Sequence, residues 1–329
     1  MNLQTNYLGL TLKNPLVAGA SPLSDDLDKL RALEDAGIAG VTMYSLFEEQ
    51  ITQNLVGASD QNDGYSDSFV QAASTFAGSG ILDRGVDSYL EQLQAIKNTV
   101  SIPVFGSLNG TRDGEWTQYA SLIESAGADA LELNLYCLAT NLDESAAQME
   151  ERYLRIMTQV RERISIPLVV KLSPSFSALP NFAKRLHEGG VDALVLFNRM
   201  YQPDFDIEKR KVNVSLKLSY AQELRLRLRW LSMLSGRINC QFAASGGVYK
   251  AVDVIKALMA GADTVQLVSS VLLNGPERVS SILEELESWM SNHQHTSLDE
   301  IRGCMNYQNC ADPEALERAN YMKILKSWG

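Results

Sequence analysis

The sequence predicts an α/β fold, a (β/α)8 TIM barrel, and two observations support this prediction. Short apolar runs of strand length recur along the chain, and a segment with helical period follows each of them. The runs are apolar on both faces, as strands lying between a barrel core and an outer ring of helices must be. Eight such runs are present: 16–20, 40–45, 103–108, 130–135, 167–172, 193–198, 241–245 and 264–268.

Helices with recognisable ends separate these strands. Ser24 begins the first predicted helix, which ends at Gly37, and the second begins near Asp87. Glycine-containing stretches such as 260–262 end several helices just before the next strand, where glycine supplies a left-handed cap. The remaining predicted helices are 115–126, 144–164, 180–188, 220–234, 250–260 and 277–291.

The 329 residues fit one barrel domain with two long insertions. The insertions, 46–85 and 199–219, follow the second and sixth strands, on the carboxyl-terminal face where barrel enzymes have their active site. Alternating apolar positions from Asp206 onward predict a small hairpin in the second insertion. From about residue 297 the chain is polar, and we expect a helical tail there.

Charge and composition restrict the kind of ligand. The net charge of −11 argues against nucleic acid and anionic membranes, which both require a basic face, so the expected partner is a small-molecule substrate. The start of the chain shows no secretory pattern and no apolar run reaches eighteen residues, which predicts a cytoplasmic protein. The four cysteines lack close pairs and the histidines number three, so no metal site is expected.

Polar residues at the carboxyl ends of otherwise apolar strands are the candidate site residues. A buried amine such as Lys171 requires either an anionic or delocalised ring ligand or a carboxylate partner such as Glu132, and both interpretations stay open. The candidates at these strand ends are Tyr44, Ser45, Asn109, Asn134, Cys137, Lys171 and Asn198.

Two turns of small residues follow the last two strands. They are 245–247, which contains Gly246 and Gly247, and 268–270, which contains Ser269 and Ser270. Barrels commonly bind phosphate at this place through backbone N–H groups. The two turns together favour a phosphate site over an ordinary chain reversal.

Five successive motifs give the chain its resemblance to a known family. They are Leu133-Asn-Leu-Tyr-Cys137, Pro167-Leu-Val-Val-Lys-Leu-Ser-Pro174, the strand end at Asn198, Ala244-Ser-Gly-Gly-Val248 and Ala260-Gly-Ala-Asp-Thr-Val-Gln-Leu267. In order and spacing, from about residue 3 to residue 290, the chain resembles the class 1, FMN-dependent dihydroorotate dehydrogenases. The resemblance implies a flavoprotein of pyrimidine biosynthesis that forms a homodimer.

The resemblance also implies roles for individual residues. Cys137 would take a proton from one substrate carbon while the adjacent carbon gives a hydride to the flavin, and Lys171 would lie beside the flavin. A cysteine there is otherwise a small buried hydrophobe. The implied substrate-binding residues are Tyr44, Asp83, Asn134 and Asn198. The implied FMN-binding residues are Ala18, Gly19, Ala20, Ser45, Asn109, Lys171, Asn198, Gly246, Gly247, Ser269 and Ser270.

Several positions depart from the family pattern. Tyr44 replaces a lysine, Asp83 replaces an asparagine, and Ala139 replaces the second asparagine of the cysteine loop. An acid at 83 disfavours a carboxylate substrate such as dihydroorotate, because like charges repel at low dielectric. Arg199, in place of a small hydroxyl residue, offers a different carboxylate clamp. Val268 replaces a glycine of the phosphate loop, which weakens the expectation of FMN.

Three functions remain open on the sequence. The first is an FMN oxidoreductase that acts on a CH–CH bond next to a carbonyl in a small pyrimidine-like ring. The second is a barrel that has lost redox chemistry and serves as a small-molecule binding or regulatory protein. The third is a flavin-independent, phosphate-binding lyase or aldolase in which Lys171 forms a Schiff base.

Overall fold

Eight parallel strands close into a barrel in a computed structural model that describes residues 1–51, 85–112, 114–135, 137–199, 202–213 and 217–317. Each strand pairs in parallel with the next along the chain, and the eighth pairs with the first, Val265 opposite Leu16. The barrel strands are β1 (Leu16–Ala18), β2 (Gly40–Thr42), β3 (Val104–Asn109), β4 (Ala130–Leu135), β5 (Leu168–Leu172), β6 (Ala193–Leu196), β7 (Gln241–Ser245) and β8 (Thr264–Leu267). The predicted (β/α)8 barrel is confirmed.

Helices surround the barrel and bury one face each. In the fourth of them, Ser145 accepts a hydrogen bond from the backbone N–H of Gln148 and so caps the helix. The described helices are α1 (Leu27–Asp35), α2 (Val86–Thr99), α3 (Tyr119–Ser125), α4 (Ala146–Arg161), α5 (Leu179–Glu188), α6 (Leu224–Leu234), α7 (Ala251–Ala260), α8 (Ser269–Asn274), α9 (Glu277–Asn292) and α10 (Glu314–Glu317). Within the described ranges, none of them is long and apolar enough to cross a membrane.

The interior of the barrel has an apolar lower layer and a polar upper layer. An antiparallel hairpin of Thr5–Tyr7 and Leu10–Leu12, which the sequence analysis did not predict, packs Tyr7 and Leu12 with the lower layer. Because side chains alternate along a strand, Ala130 in the lower layer of β4 is followed on the same face by Glu132 and Asn134. The same alternation puts Val169 and Lys171 of β5 on one face. Polar side chains therefore collect at the carboxyl-terminal mouth.

The insertions and the tail differ in how well their structures agree with the predictions made from the sequence. The predicted hairpin is confirmed as Asp204–Asp206 paired with Lys211–Asn213. The expected helical tail is wrong for most of its described part, which forms turns apart from Leu298–Glu300, a 3-10 turn, and α10. The reason is that tail backbone N–H groups bond to other helices, as when Tyr307 donates to the Ser232 carbonyl at 2.7 Å. Residues 52–84 of the first insertion lie outside the described residues.

Candidate active site

A buried ion pair lies at the centre of the upper layer. Lys171 Nζ lies 3.1 Å from Glu132 Oε1 and donates to Gln266 Oε1 at 2.9 Å. Gln266 Nε2 donates to the other Glu132 oxygen at 2.6 Å. The three residues come from β5, β4 and β8 and are at most 5% exposed. Removing such charges from water is costly unless each is paired and hydrogen-bonded, and here each of the three groups has two partners.

This ion pair decides between the two interpretations of Lys171 only in part. The carboxylate partner is present, as the second sequence alternative required. An ammonium group has three N–H donors, and the two bonds to Glu132 and Gln266 use two of them. One donor direction is therefore left for a ligand at the mouth of the barrel.

A network of amides and hydroxyls lies beside the ion pair. Asn134 Nδ2 donates to Ser45 Oγ at 3.1 Å and to Ser107 Oγ at 3.0 Å, and the two serine oxygens are 2.8 Å apart. Asn198 Nδ2 donates to Asn134 Oδ1 at 3.4 Å. In the strand register Asn134 lies opposite Lys171 on β5. The predicted residues Ser45, Asn134, Lys171 and Asn198 are thus brought to one wall of the mouth.

The two small-residue turns meet through a serine from the second insertion. Ser219 donates to Ser269 Oγ through its backbone N–H at 3.1 Å and through its hydroxyl at 2.9 Å. The backbone N–H of Gly247 donates to Ser219 Oγ at 3.3 Å. Gly246 and Gly247 have φ angles of +94° and +81°, which side chains disfavour. Three chain segments therefore converge as a cluster of small hydrogen-bonding groups.

Gly19 permits a close approach at the opposite edge of these turns. A Cβ atom at Gly19 would lie 2.8 Å from Val268 Cγ2 and 3.3 Å from Gln266 Oε1. Val268, which replaces a family glycine, has a φ of −133°. This φ lies outside the left-handed region that favours glycine, so the φ angle at 268 does not by itself require glycine. Valine in place of glycine at 268 therefore introduces no strain in φ.

Cys137 follows β4 on a loop that packs against α4. Its thiol is partly buried and lies 4.0 Å from Arg152 Nη2. Burial raises the pKa of the Cys137 thiol, and the Arg152 guanidinium opposes this shift without cancelling it. Arg152 is also paired with Glu144, whose negative charge further raises the thiol pKa. The thiol is accordingly protonated at neutral pH in this arrangement.

These positions agree with a family assignment made from the whole sequence. The model of the dihydroorotate dehydrogenase family matches residues 2–290. The chain belongs to the dihydroorotate dehydrogenase family. It is a flavin oxidoreductase of the dihydroorotate dehydrogenase type, acts on a CH–CH group, and has FMN as its cofactor.

Individual relatives match more than nine tenths of the chain. A protein of Petrotoga mobilis named dihydroorotate dehydrogenase B (NAD(+)), catalytic subunit, is 26% identical over 310 residues, which are 92% of this chain and 99% of that protein. Its namesake from Methanocaldococcus jannaschii is 24% identical over 312 residues, 92% of this chain and 97% of the relative. The protein of the same name from Lachnoclostridium phytofermentans is 23% identical over 319 residues, which are 93% of this chain and 100% of that protein.

The residues at the mouth fit the cofactor of this family. A phosphate requires small residues and neutral or positive donors. Ser219 and Gly247 donate within the cluster, and the Ser269 hydroxyl, which accepts both Ser219 bonds, keeps its own hydrogen for a phosphate. A Cβ atom at Gly247 would lie 2.4 Å from the backbone nitrogen of Leu224, so this turn admits no side chain. On the other side of the mouth, Lys171 and Asn198 offer the polar contacts that a flavin ring requires.

The remaining predicted residues of this family site lie nearby or outside the described part. Asn109 is mostly buried and pairs in register with Asn134, and the Gly19 backbone N–H donates to Leu267 O at 3.1 Å. The ring of Tyr44 packs edge-on against Tyr89, with ring centres 5.2 Å apart. Ala18 and Ser270 are fully buried, whereas Ala20 is partly exposed. Asp83 lies outside the described residues.

Several residues of the candidate site and its surroundings were missed by sequence reasoning. Ser107 and Gln266 carry the same signal as Lys171, a polar residue inside a buried strand, and this signal was sufficient to find them. Ser219 lies in a long insertion, where a serine is unremarkable. Arg227 alternates with Arg225 and Arg229 on α6, so the sequence offers nothing to distinguish it.

Proposed function

We propose that the protein transfers a hydride between FMN and a CH–CH bond next to a carbonyl in a small, pyrimidine-like ring. The observation that carries this proposal is the shared wall of the barrel mouth, where the cation Lys171 lies in register with Asn134. Asn198 reaches the same amide through a hydrogen bond of 3.4 Å. A cation and two amides at the end of parallel strands suit a flat, polar ring system.

The chain holds the cofactor with two separate groups of residues. The cluster of Ser219, Gly247 and Ser269 would hold the phosphate, and the Lys171 charge would favour the reduced, anionic flavin ring. When bound, FMN supplies the acceptor or donor of the hydride. Glu132 and Gln266 keep the Lys171 ammonium oriented, since both accept its hydrogen bonds.

The substrate is oriented by amides and gives its proton to Cys137. The Asn134 amide donates both its hydrogens to Ser45 and Ser107, so its carbonyl oxygen keeps one direction and has a second lone pair for the ring. Cys137 Sγ takes the proton from the carbon next to the one that loses the hydride. This proton transfer requires the thiolate, and Arg152 is the nearby cation that favours it.

The substrate pocket differs from that expected for dihydroorotate. Tyr44 places an aromatic wall, packed on Tyr89, where the family has a lysine. Arg199 does not replace this cation freely, because its Nε lies 3.5 Å from Glu223 Oε1. We therefore propose a substrate with less negative charge than dihydroorotate. We also propose that the protein is a cytoplasmic homodimer.

The alternative functions have weaker support. A Schiff base requires a neutral amine with a free lone pair, whereas Lys171 forms an ion pair with Glu132. Neither the family assignment nor the polar layer of the barrel favours a barrel without redox chemistry. The FMN oxidoreductase is thus the function that the site supports best.

The first test is the visible absorption spectrum of the purified protein, followed by release and identification of the chromophore. A flavin spectrum with one FMN per chain is expected, and dithionite should bleach it. A colourless protein that does not take up added FMN would contradict the proposal. Size-exclusion chromatography with light scattering on the same sample tests the homodimer.

The substrate proposal has its own test. Anaerobic dihydroorotate should bleach the flavin of the wild-type protein slowly or not at all. The variant Tyr44→Lys with Asp83→Asn restores both family residues and should bleach at least tenfold faster. Equal and rapid bleaching of both proteins would show that dihydroorotate is the substrate.

A further inference from the structure

A buried arginine lies directly behind the turn of Gly246 and Gly247. The Arg227 side chain is 5% exposed, and its Nε donates to the Ser245 carbonyl at 2.8 Å. A Cβ atom at Gly246 would lie 2.9 Å from Arg227 Nη2. The guanidinium therefore fills the space that a side chain at 246 would need.

Among the residues that the structure describes, the charges around Arg227 do not cancel. Its Nη1 lies 3.5 Å from Glu223 Oε2, and Glu223 Oε1 lies 3.5 Å from Arg199 Nε. Two guanidinium groups thus share one carboxylate, which leaves one positive charge next to the turn. Burial lowers the pKa of Arg227, and the nearby Arg199 charge acts in the same direction, while Glu223 opposes both. A second anion at this place would relieve the imbalance.

Arg227 also fixes the direction of the turn backbone. The Ser245 carbonyl that accepts its hydrogen bond belongs to the peptide group that carries the Gly246 N–H. In a trans peptide the C=O and N–H bonds point in opposite directions. Holding the carbonyl toward Arg227 therefore turns the Gly246 N–H away from it, toward the side that a ligand approaches.

We propose that Arg227 is a binding determinant for the phosphate monoester of the cofactor, through its charge and through its hold on the Ser245–Gly246 peptide. This inference rests on the proposed function. In a chain of net charge −11, a doubly negative phosphate needs a local cation, and Arg227 is a buried one in contact with the turn. The Ser269 hydroxyl, which accepts both Ser219 bonds and keeps its own hydrogen, and the Gly246 N–H would give the phosphate hydrogen bonds without opposing its charge.

The test compares FMN with riboflavin, which lacks the phosphate. Flavin is removed from the full-length protein, and the dissociation constants of both flavins are measured by fluorescence quenching for wild type, Arg227→Met and Arg227→Lys. Arg227→Met should weaken FMN binding about tenfold or more, whereas riboflavin binding changes less than threefold. Arg227→Lys keeps the charge and should recover part of the FMN affinity.

Glu223→Gln is a milder variant in case Arg227→Met does not fold. It keeps a side-chain oxygen to accept the Tyr220 N–H bond and removes the carboxylate that competes for Arg227. FMN binding should tighten about threefold or more, with riboflavin binding unchanged.

Equal losses of FMN and riboflavin affinity in the Arg227 variants, or no change in either, would overturn the inference while leaving the proposed function intact. Wild-type protein that binds neither flavin would contradict the proposed function and the inference with it. A steeper salt dependence for FMN than for riboflavin in wild type, lost in Arg227→Met, would add support from an independent measurement.

Discussion

Lys171 and Glu132 form an ion pair inside the barrel, with 3.1 Å between Nζ and Oε1 and both side chains almost fully buried. Gln266 bonds to both members of the pair and so closes a ring of three hydrogen bonds. The position of the Lys171 ammonium group therefore depends on Glu132 and Gln266, which belong to two other strands.

Glu132→Gln should destabilise the protein strongly. The change leaves the Lys171 charge buried beside a neutral amide, and breaking such a pair costs roughly 3 kcal/mol of the free energy of unfolding. Urea unfolding of the flavin-free protein measures this loss. The double variant Glu132→Leu with Lys171→Met removes both charges and should recover most of the stability. A double variant as unstable as Glu132→Gln would show that the charge imbalance is not the cause.

The pH profile of turnover should respond to Arg152. Burial raises the Cys137 pKa and Arg152 lowers it, so the rising limb of kcat/KM should lie at high pH in the wild type. Arg152→Gln should move this limb upward by about one pH unit, because a nearby opposite charge is lost. Arg163→Gln is the matched control, since that exposed guanidinium bonds to the Gln159 carbonyl at the far end of α4. An identical limb in wild type and Arg152→Gln would argue against thiolate catalysis.

Ser107→Ala should lower kcat/KM without unfolding the barrel. The Ser107 hydroxyl is one of two acceptors of the Asn134 amide. Its loss should lower kcat/KM about tenfold, which corresponds to roughly 1.4 kcal/mol. Ser121→Ala on the outer surface removes a hydroxyl that bonds to the Gln118 carbonyl and should have wild-type kinetics. Wild-type kinetics in Ser107→Ala as well would remove Ser107 from the site.

The contribution of Asp263 to stability should fall as the pH rises from about 4 to about 6. Burial raises the pKa of Asp263 from 3.8 to about 6, even though its carboxylate accepts the Phe242 N–H at 2.8 Å. The folded protein therefore binds this proton more tightly than the unfolded chain, and the resulting stability, fully present below pH 4, is lost through pH 6. The effect is on the order of 2 to 3 kcal/mol.

Urea unfolding of Asp263→Asn between pH 4 and pH 7 tests this assignment. The variant cannot ionise at 263 and should show a flatter dependence than the wild type. Asp35→Asn, at an exposed position on α1, should retain the wild-type slope. An unchanged slope in Asp263→Asn would place the responsible group elsewhere.

Much of the fold could be predicted because the evidence for it is local. The strands β4 and β7 begin and end at the predicted residues, since an apolar run between a helix cap and a polar strand end is visible along the chain. The amino-terminal hairpin was missed because its strands have three residues each. The tail was predicted as a helix because its polar composition can be read along the chain. Its backbone hydrogen bonds to α6 and α7 cannot be read in this way.

By itself the sequence determined that polar side chains of five strands meet at one face of a barrel, and that small-residue turns follow the last two strands. Alternation along a strand decides which side chains point inward, and this requires no knowledge of the neighbouring strands. Only the tertiary structure decided that Lys171 pairs with Glu132 and Gln266, that Ser219 joins the two turns, and that Arg227 is buried behind Gly246. Those contacts join strands, helices and insertions that are far apart in the chain. Which contacts form depends on which side chains can pair with a buried charge where water is excluded.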